Sequence, residues 1–321
     1  MKTMQWLLRR EFWENRGGFF WAPVVAGGVF LVLFMLLLAI AQAAADRSHI
    51  QIGLVRLDSL LKSVDPSAMQ AAAVGVDTLI LTIVAMSMFV TAIVVFFYSL
   101  GAFFDERKDR SILFWKSLPL SDRDTGISKV LSATVVAPAI GLVAGIVTAM
   151  GLLLVLCMFA AFHGQNLFGL VFWHAHPVRM TMLALTTLPL YAIWALPTVG
   201  WLMLCSSWAR AKPFLWALGV PLGAGILVTF FDLMQAIERP NVWFWEHVVG
   251  RMLGGTFPGG WLKHASISFE NGIRTPDDML NLATLGNFYS ALGSAELWVG
   301  AVAGAAMLVA ATRLRRWRDE A

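Results

Sequence analysis

The chain has 321 residues, of which 58% are hydrophobic and only 14% charged. A soluble domain carries about 45–50% apolar and about 25% charged residues, so these proportions exclude an ordinary soluble enzyme, a disordered chain and a disulfide scaffold. The formal charge of +4 then reads as topogenic, because lysine and arginine set the orientation of membrane spans.

A bilayer core needs roughly 20 apolar helical residues. Residues 1–21 come first and read as an interfacial helix: Met4, Leu8 and Phe12 form an apolar stripe at helical spacing, with Trp6 and Trp13 together on another side. Six apolar stretches follow, at 22–42, 78–104, 130–162, 180–207, 213–235 and 295–312. None carries Lys or Arg at its centre, and none alternates every second residue as a barrel strand would. The expected fold is therefore an all-α membrane protein, one transmembrane domain over 1–321. Ala41-Gln42-Ala43 imitates a signal-peptidase site, but the leader and the apolar run are too long for a usual signal peptide, so span one is expected to stay. Cys157 and Cys205 lie inside apolar runs and read as small core residues.

With the N-terminus inside, the inner segments hold sixteen Lys and Arg and the longer outer segments eight. The positive-inside rule then places both termini in the cytoplasm. The sixth span is expected to end at Thr312, before the basic segment that starts at Arg313.

Pro138, Pro189, Pro197 and Pro221 fall within spans and should kink them. Small-xxx-small spacing at Gly141/Gly145, Gly219/Gly223 and Gly300/Gly304 marks candidate helix crossings. The outer loop, 236–294, is aromatic-rich in its first half (Trp243, Phe244, Trp245), which suits either short helices dipping into the interface or a folded outer cap without substrate contact. Asp77 and Asp232 sit near outer span ends, where hydration is expected. All six His residues fall on outer segments, and His174 and His176 form a pair too small for a metal site by itself.

The segment 105–129 between spans two and three is too polar to lie in lipid. It opens with charges of both signs, continues with Ile112, Leu113, Phe114 and Trp115, and turns at Ser121-Asp122. An apolar patch rimmed by charge is either a docking site or a headgroup anchor. The arrangement ER-x-x-R-x-x-x-FWKSLPLSD-x-x-x-x-x-SK in this position resembles the ABC-2-type permeases of bacterial ABC transporters, and the resemblance covers nearly the whole chain. In that family an amphipathic N-terminal helix precedes six spans, a cytoplasmic coupling helix lies between spans two and three, and a large outer loop lies between spans five and six. The resemblance implies a permease subunit in the bacterial inner membrane, with export as the direction that family mostly takes, while the apolar spans, without charge at their centres, favour a lipidic or amphiphilic substrate over a small ion. Its implied partners are a separate ATP-binding cassette subunit, a second permease copy or a related permease, and the membrane lipids. Glu106, Arg107, Arg110, Phe114, Lys116, Ser117, Leu118 and Pro119 fall where the family contacts its ATPase. ATP and Mg belong to that partner. This chain has no G-x-x-x-x-G-K-[ST] phosphate loop and no common hydrolase signature, so it is expected to hold no cofactor or metal, to act as no enzyme by itself and to bind no nucleic acid. Without the resemblance, the same features fit a non-transporting scaffold or sensor, or a membrane-embedded enzyme using the outer His and Asp residues.

Overall fold

In the computed structural model, residues 2–48, 66–109, 121–164, 166–234, 241–264 and 284–318 are described. Among them there is no strand, and six helices are long and apolar enough to cross a membrane. The N-terminal helix, Lys2–Glu14, leads through a π-helical turn at Gly17–Trp21 into span one, Ala22–Ser48. Span two is Pro66–Gly101, continued by a short helix at Phe104–Lys108. Span three enters as Asp122–Leu131, passes a π-helical turn at Ser132–Val136 and runs on as Ala137–Phe162. Span four is Pro177–Thr186 followed by Leu188–Trp208; span five is Pro213–Leu233 and span six Ala295–Arg318.

Local chemistry explains the irregularities. Pro138 has no N–H to give the carbonyl four residues back, and the π-turn just before it absorbs the misfit. Pro189 follows a break at Thr187, where the hydroxyl bonds back to the Ala184 carbonyl at 2.7 Å. Ser121 begins span three as an N-cap, accepting from the Asp124 N–H at 3.0 Å.

The spans differ in how far they are covered by protein. In the most apolar stretch of span four 61% of residues are buried, against none in span one and 17% in spans five and six. Span four is therefore the centre, and span one lies at the edge, packed on spans two and three through Phe30, Leu31 and Phe34. Spans four and six pack along much of their length, as do spans two and three. One core cluster joins these four through Val95, Phe103, Leu142, Tyr191, Trp194, Met203 and Leu297. A second, toward the far side from the termini, holds Ile83, Leu152, Cys157, Met180 and Leu183.

Two glycine pairs sit at these crossings. A Cβ on Gly141 would strike the Thr91 side chain, and one on Gly145 would lie 3.0 Å from the Val84 Cα in span two. A Cβ on Gly304 would lie 2.5 Å from the Leu196 carbonyl in span four, and one on Gly300 would meet Arg251 and Pro197. Gly219 and Gly223 differ: nothing lies within 4 Å of either position, so that face of span five has no neighbour within the described residues.

Four boundaries depart from the sequence expectation, the first being span one, which runs on to Ser48 rather than ending at residue 42. Span two starts at Pro66 rather than near residue 78, so Asp77 lies within the helix. Helix at the start of span three reaches back to Asp122. Span six continues beyond Thr312 into the basic segment, because Arg315 is buried against a carboxylate rather than free in water.

Candidate functional site

The densest polar feature lies at the membrane end that carries the N-terminal helix and the end of span six. Glu11, Glu106, Lys129 and Arg315 are 1%, 8%, 4% and 3% exposed. They come from four elements: the N-terminal helix, the segment after span two, the start of span three and the end of span six. Lys129 Nζ lies 3.1 Å from one oxygen of Glu11 and 3.1 Å from one of Glu106. Arg315 Nη2 donates to the other Glu106 oxygen at 2.8 Å. Tyr98 of span two donates its hydroxyl to the second Glu11 oxygen at 2.7 Å. Arg10 reaches Glu106 at 3.4 Å and donates through Nε to Glu14 at 2.8 Å. Burial disfavours the Arg10 charge, but Glu14, Glu11 and Glu106 outweigh it and hold its pKa above the ordinary value. Two buried anions thus face two buried cations, the only arrangement in which such charges are tolerable away from water.

Each position is set locally. On the N-terminal helix Leu7 and Glu11 are four residues apart and share the buried face, while Trp6 and Trp13 are exposed. The buried face is therefore one step round from the apolar stripe read in sequence, and it carries a carboxylate.

Arg107 makes a second anchor. Its guanidinium donates to the carbonyls of Ser207 at 2.7 Å and Ala209 at 3.1 Å, and to that of Ser206. These are the last carbonyls of span four, the unsatisfied and electronegative end of that helix. The Ser206 hydroxyl in turn accepts the Phe103 and Phe104 N–H groups, both at 3.0 Å. The segment between spans two and three is thus tied at its first end to span four and the ion cluster, and at its second, through Lys129, to the same cluster.

Comparison with protein-family models, with curated proteins and with solved structures finds no match.

Of the sequence-derived contact residues, Glu106 pairs with Lys129 and Arg315, and Arg107 with the end of span four. Arg110, Phe114, Lys116, Ser117, Leu118 and Pro119 lie outside the described residues. Beside the cluster, a cavity of about 730 Å³ opens between the N-terminal segment and the end of span two. Glu14, Asp105, Asp109 and the apolar Phe19, Val94 and Phe97 are among its walls.

At the opposite end the loop between spans five and six packs against span four. Its first part forms Asn241–Phe244, a π-turn at Trp245–Val249 and Gly250–Gly254. Thr198, halfway along span four, donates to the Arg251 carbonyl at 2.6 Å and accepts from the Gly255 N–H at 2.8 Å. The Arg251 guanidinium stacks 3.5 Å from the centre of the Trp194 ring. Burial draws its pKa down to about 10, with Glu296 pulling back, so it is cationic at neutral pH. Asp77 is buried rather than hydrated: it accepts from the His176 N–H at 2.9 Å, and His176 Nδ1 lies 3.5 Å away. His247 Nε2 lies 2.9 Å from Glu296. Among the described residues no three His, Cys, Asp or Glu side chains stand together as metal ligands would.

Proposed function

We propose that this chain is the membrane-spanning permease subunit of an ATP-driven transporter of the ABC-2 type, exporting a lipidic or amphiphilic substrate. Hydrolysis would occur in a separate ATP-binding subunit docked on the 105–129 segment. The observation that carries the reading is the anchoring of that segment. Through Glu106, Arg107 and Lys129 it is joined to the N-terminal helix and to spans four and six. A partner that pushes on the segment therefore displaces elements that pack in the centre of the bundle. Transport requires that each nucleotide state favour a different helix arrangement, and a shared anchor of this kind transmits such a preference. In this reading Phe114 and Leu118, spaced i, i+4 in the sequence, would supply the apolar contact, and Pro119 would end the coupling helix.

The test is isolation of the chain from native membranes together with whatever nucleotide-binding subunit accompanies it, followed by ATPase assays in proteoliposomes. A buried aromatic truncated at an interface costs about 2 kcal/mol or more. Phe114→Ala should weaken assembly roughly thirty-fold on the scale of tenfold per 1.4 kcal/mol. If no ATPase accompanies the chain, or if Phe114→Ala and Leu118→Ala both leave assembly intact, the reading fails.

A further inference from the structure

A groove of about 1140 Å³ runs between the start of span three and the end of span six, at the membrane end that carries the termini. Spans three and six form most of its walls, and Phe103, buried just after span two, closes it on the side of the ion cluster. Ile127, Val130, Leu308 and Val309 line its length, and Ile127 and Val309 are half exposed. Its rim is charged: Arg123 on span three and Arg313 on span six stand there with one carboxylate, Asp122. Neither arginine takes part in the Glu11–Lys129–Glu106–Arg315 cluster. Gly126 holds the two helices together at this end, since a Cβ there would come 2.7 Å from Thr312 Cγ2. The groove is therefore a slot with two arginines and one aspartate at its polar end and an apolar body, at the ends of two helices apolar enough to cross a membrane. That polarity is complementary to one kind of molecule in the surrounding solvent, an amphiphile with a negative head.

We infer that this groove holds one anionic phospholipid of the leaflet on the side of the termini. Its phosphate sits between Arg123 and Arg313, and its acyl chains lie along Ile127, Val130, Leu308 and Val309. Basic residues at a membrane surface favour anionic lipid by electrostatic attraction, and an apolar slot beneath them turns that attraction into a site. The lipid would wedge the mouths of spans three and six next to the ion cluster that joins them. The inference does not depend on the transport reading.

The experiment is native mass spectrometry of the full chain, delipidated in mild detergent and offered phosphatidylglycerol or phosphatidylcholine with identical acyl chains. The wild type should retain one phosphatidylglycerol with about thirty-fold preference, as two cations near one anionic headgroup predict. Arg123→Gln/Arg313→Gln should abolish the preference, and Val309→Trp, which fills the slot, should lower binding of both lipids. Arg179→Ala, an exposed cation at the other end, should change nothing. Monodispersity and helical circular dichroism of each variant separate loss of the site from loss of the fold. Equal binding of the two lipids by the wild type would overturn the inference, as would a preference that survives the double substitution. So would a cysteine at position 127 that cross-links two copies of the chain in membranes, since the groove would then be an interface between subunits.

Discussion

Lys129 carries the buried cluster, because its ammonium stands 3.1 Å from a carboxylate oxygen on either side. Replacing it by Met keeps the length of the side chain and removes the charge between Glu11 and Glu106. Breaking a buried pair from one side costs about 3–5 kcal/mol, chiefly through the uncompensated charge left behind. Lys129→Met should therefore destabilise the protein by about 3 kcal/mol or more in thermal unfolding in detergent. Adding Glu11→Gln should restore more than half of that loss: the amide oxygen still accepts from Tyr98, and Glu106 keeps Arg315. A Lys129→Met variant that unfolds within about 0.5 kcal/mol of the wild type, the range of an ordinary surface change, would show that the cluster is hydrated and its pairing incidental.

The element scale is governed by close approach. Gly304 presses on the Leu196–Pro197 backbone of span four, where a Cβ would fall 2.5 Å from a carbonyl atom and 2.7 Å from the Pro197 nitrogen. Backbone cannot swing aside as a long side chain can, so Gly304→Ala forces spans four and six apart. Overpacking of this kind costs about 1–3 kcal/mol, and the same substitution at Gly219, which faces open space, should be neutral or stabilising by up to about 1 kcal/mol on helix propensity. Thermal unfolding of the two variants side by side decides whether the span four–span six crossing is as tight as described; equal midpoints would mean that it is not. The sequence spacing made Gly219/Gly223 and Gly300/Gly304 look equivalent, because GxxxG records smallness and not the presence of a neighbour. The apolar runs themselves were legible, since twenty residues without charge have few other uses. Their ends were not. Lys129 and Arg315 look like stops in sequence because the carboxylate that neutralises Arg315 is 209 residues away. Glu11 was hidden for the same reason: a carboxylate at an inward-facing helical position is meaningful only once its cation is known. One signal was available, the i, i+4 spacing that puts Glu11 on one face with Leu7.

At the scale of the whole molecule, the six long apolar helices leave the N-terminal helix, the end of span six, the ion cluster and residues 105–109 and 121–129 on one side. Exposed Trp21, Trp208 and Trp216 stand at the ends of spans one, four and five on that side, as aromatic residues do at a membrane interface. Sixteen of the 24 Lys and Arg belong to segments on this side, and the positive-inside rule then predicts that it faces the cytoplasm. Arg210, in the turn between spans four and five, and His163, at the far end of span three, are both exposed. Both native cysteines are buried and free, so a background with Cys157 and Cys205 replaced by Ala leaves one reporter at a time. In intact cells an impermeant maleimide should label His163→Cys and leave Arg210→Cys untouched until the membrane is opened. The reverse pattern would put the 105–129 segment outside the cell, where no ATP-driven partner could use it, and the transporter reading would fall together with the topology.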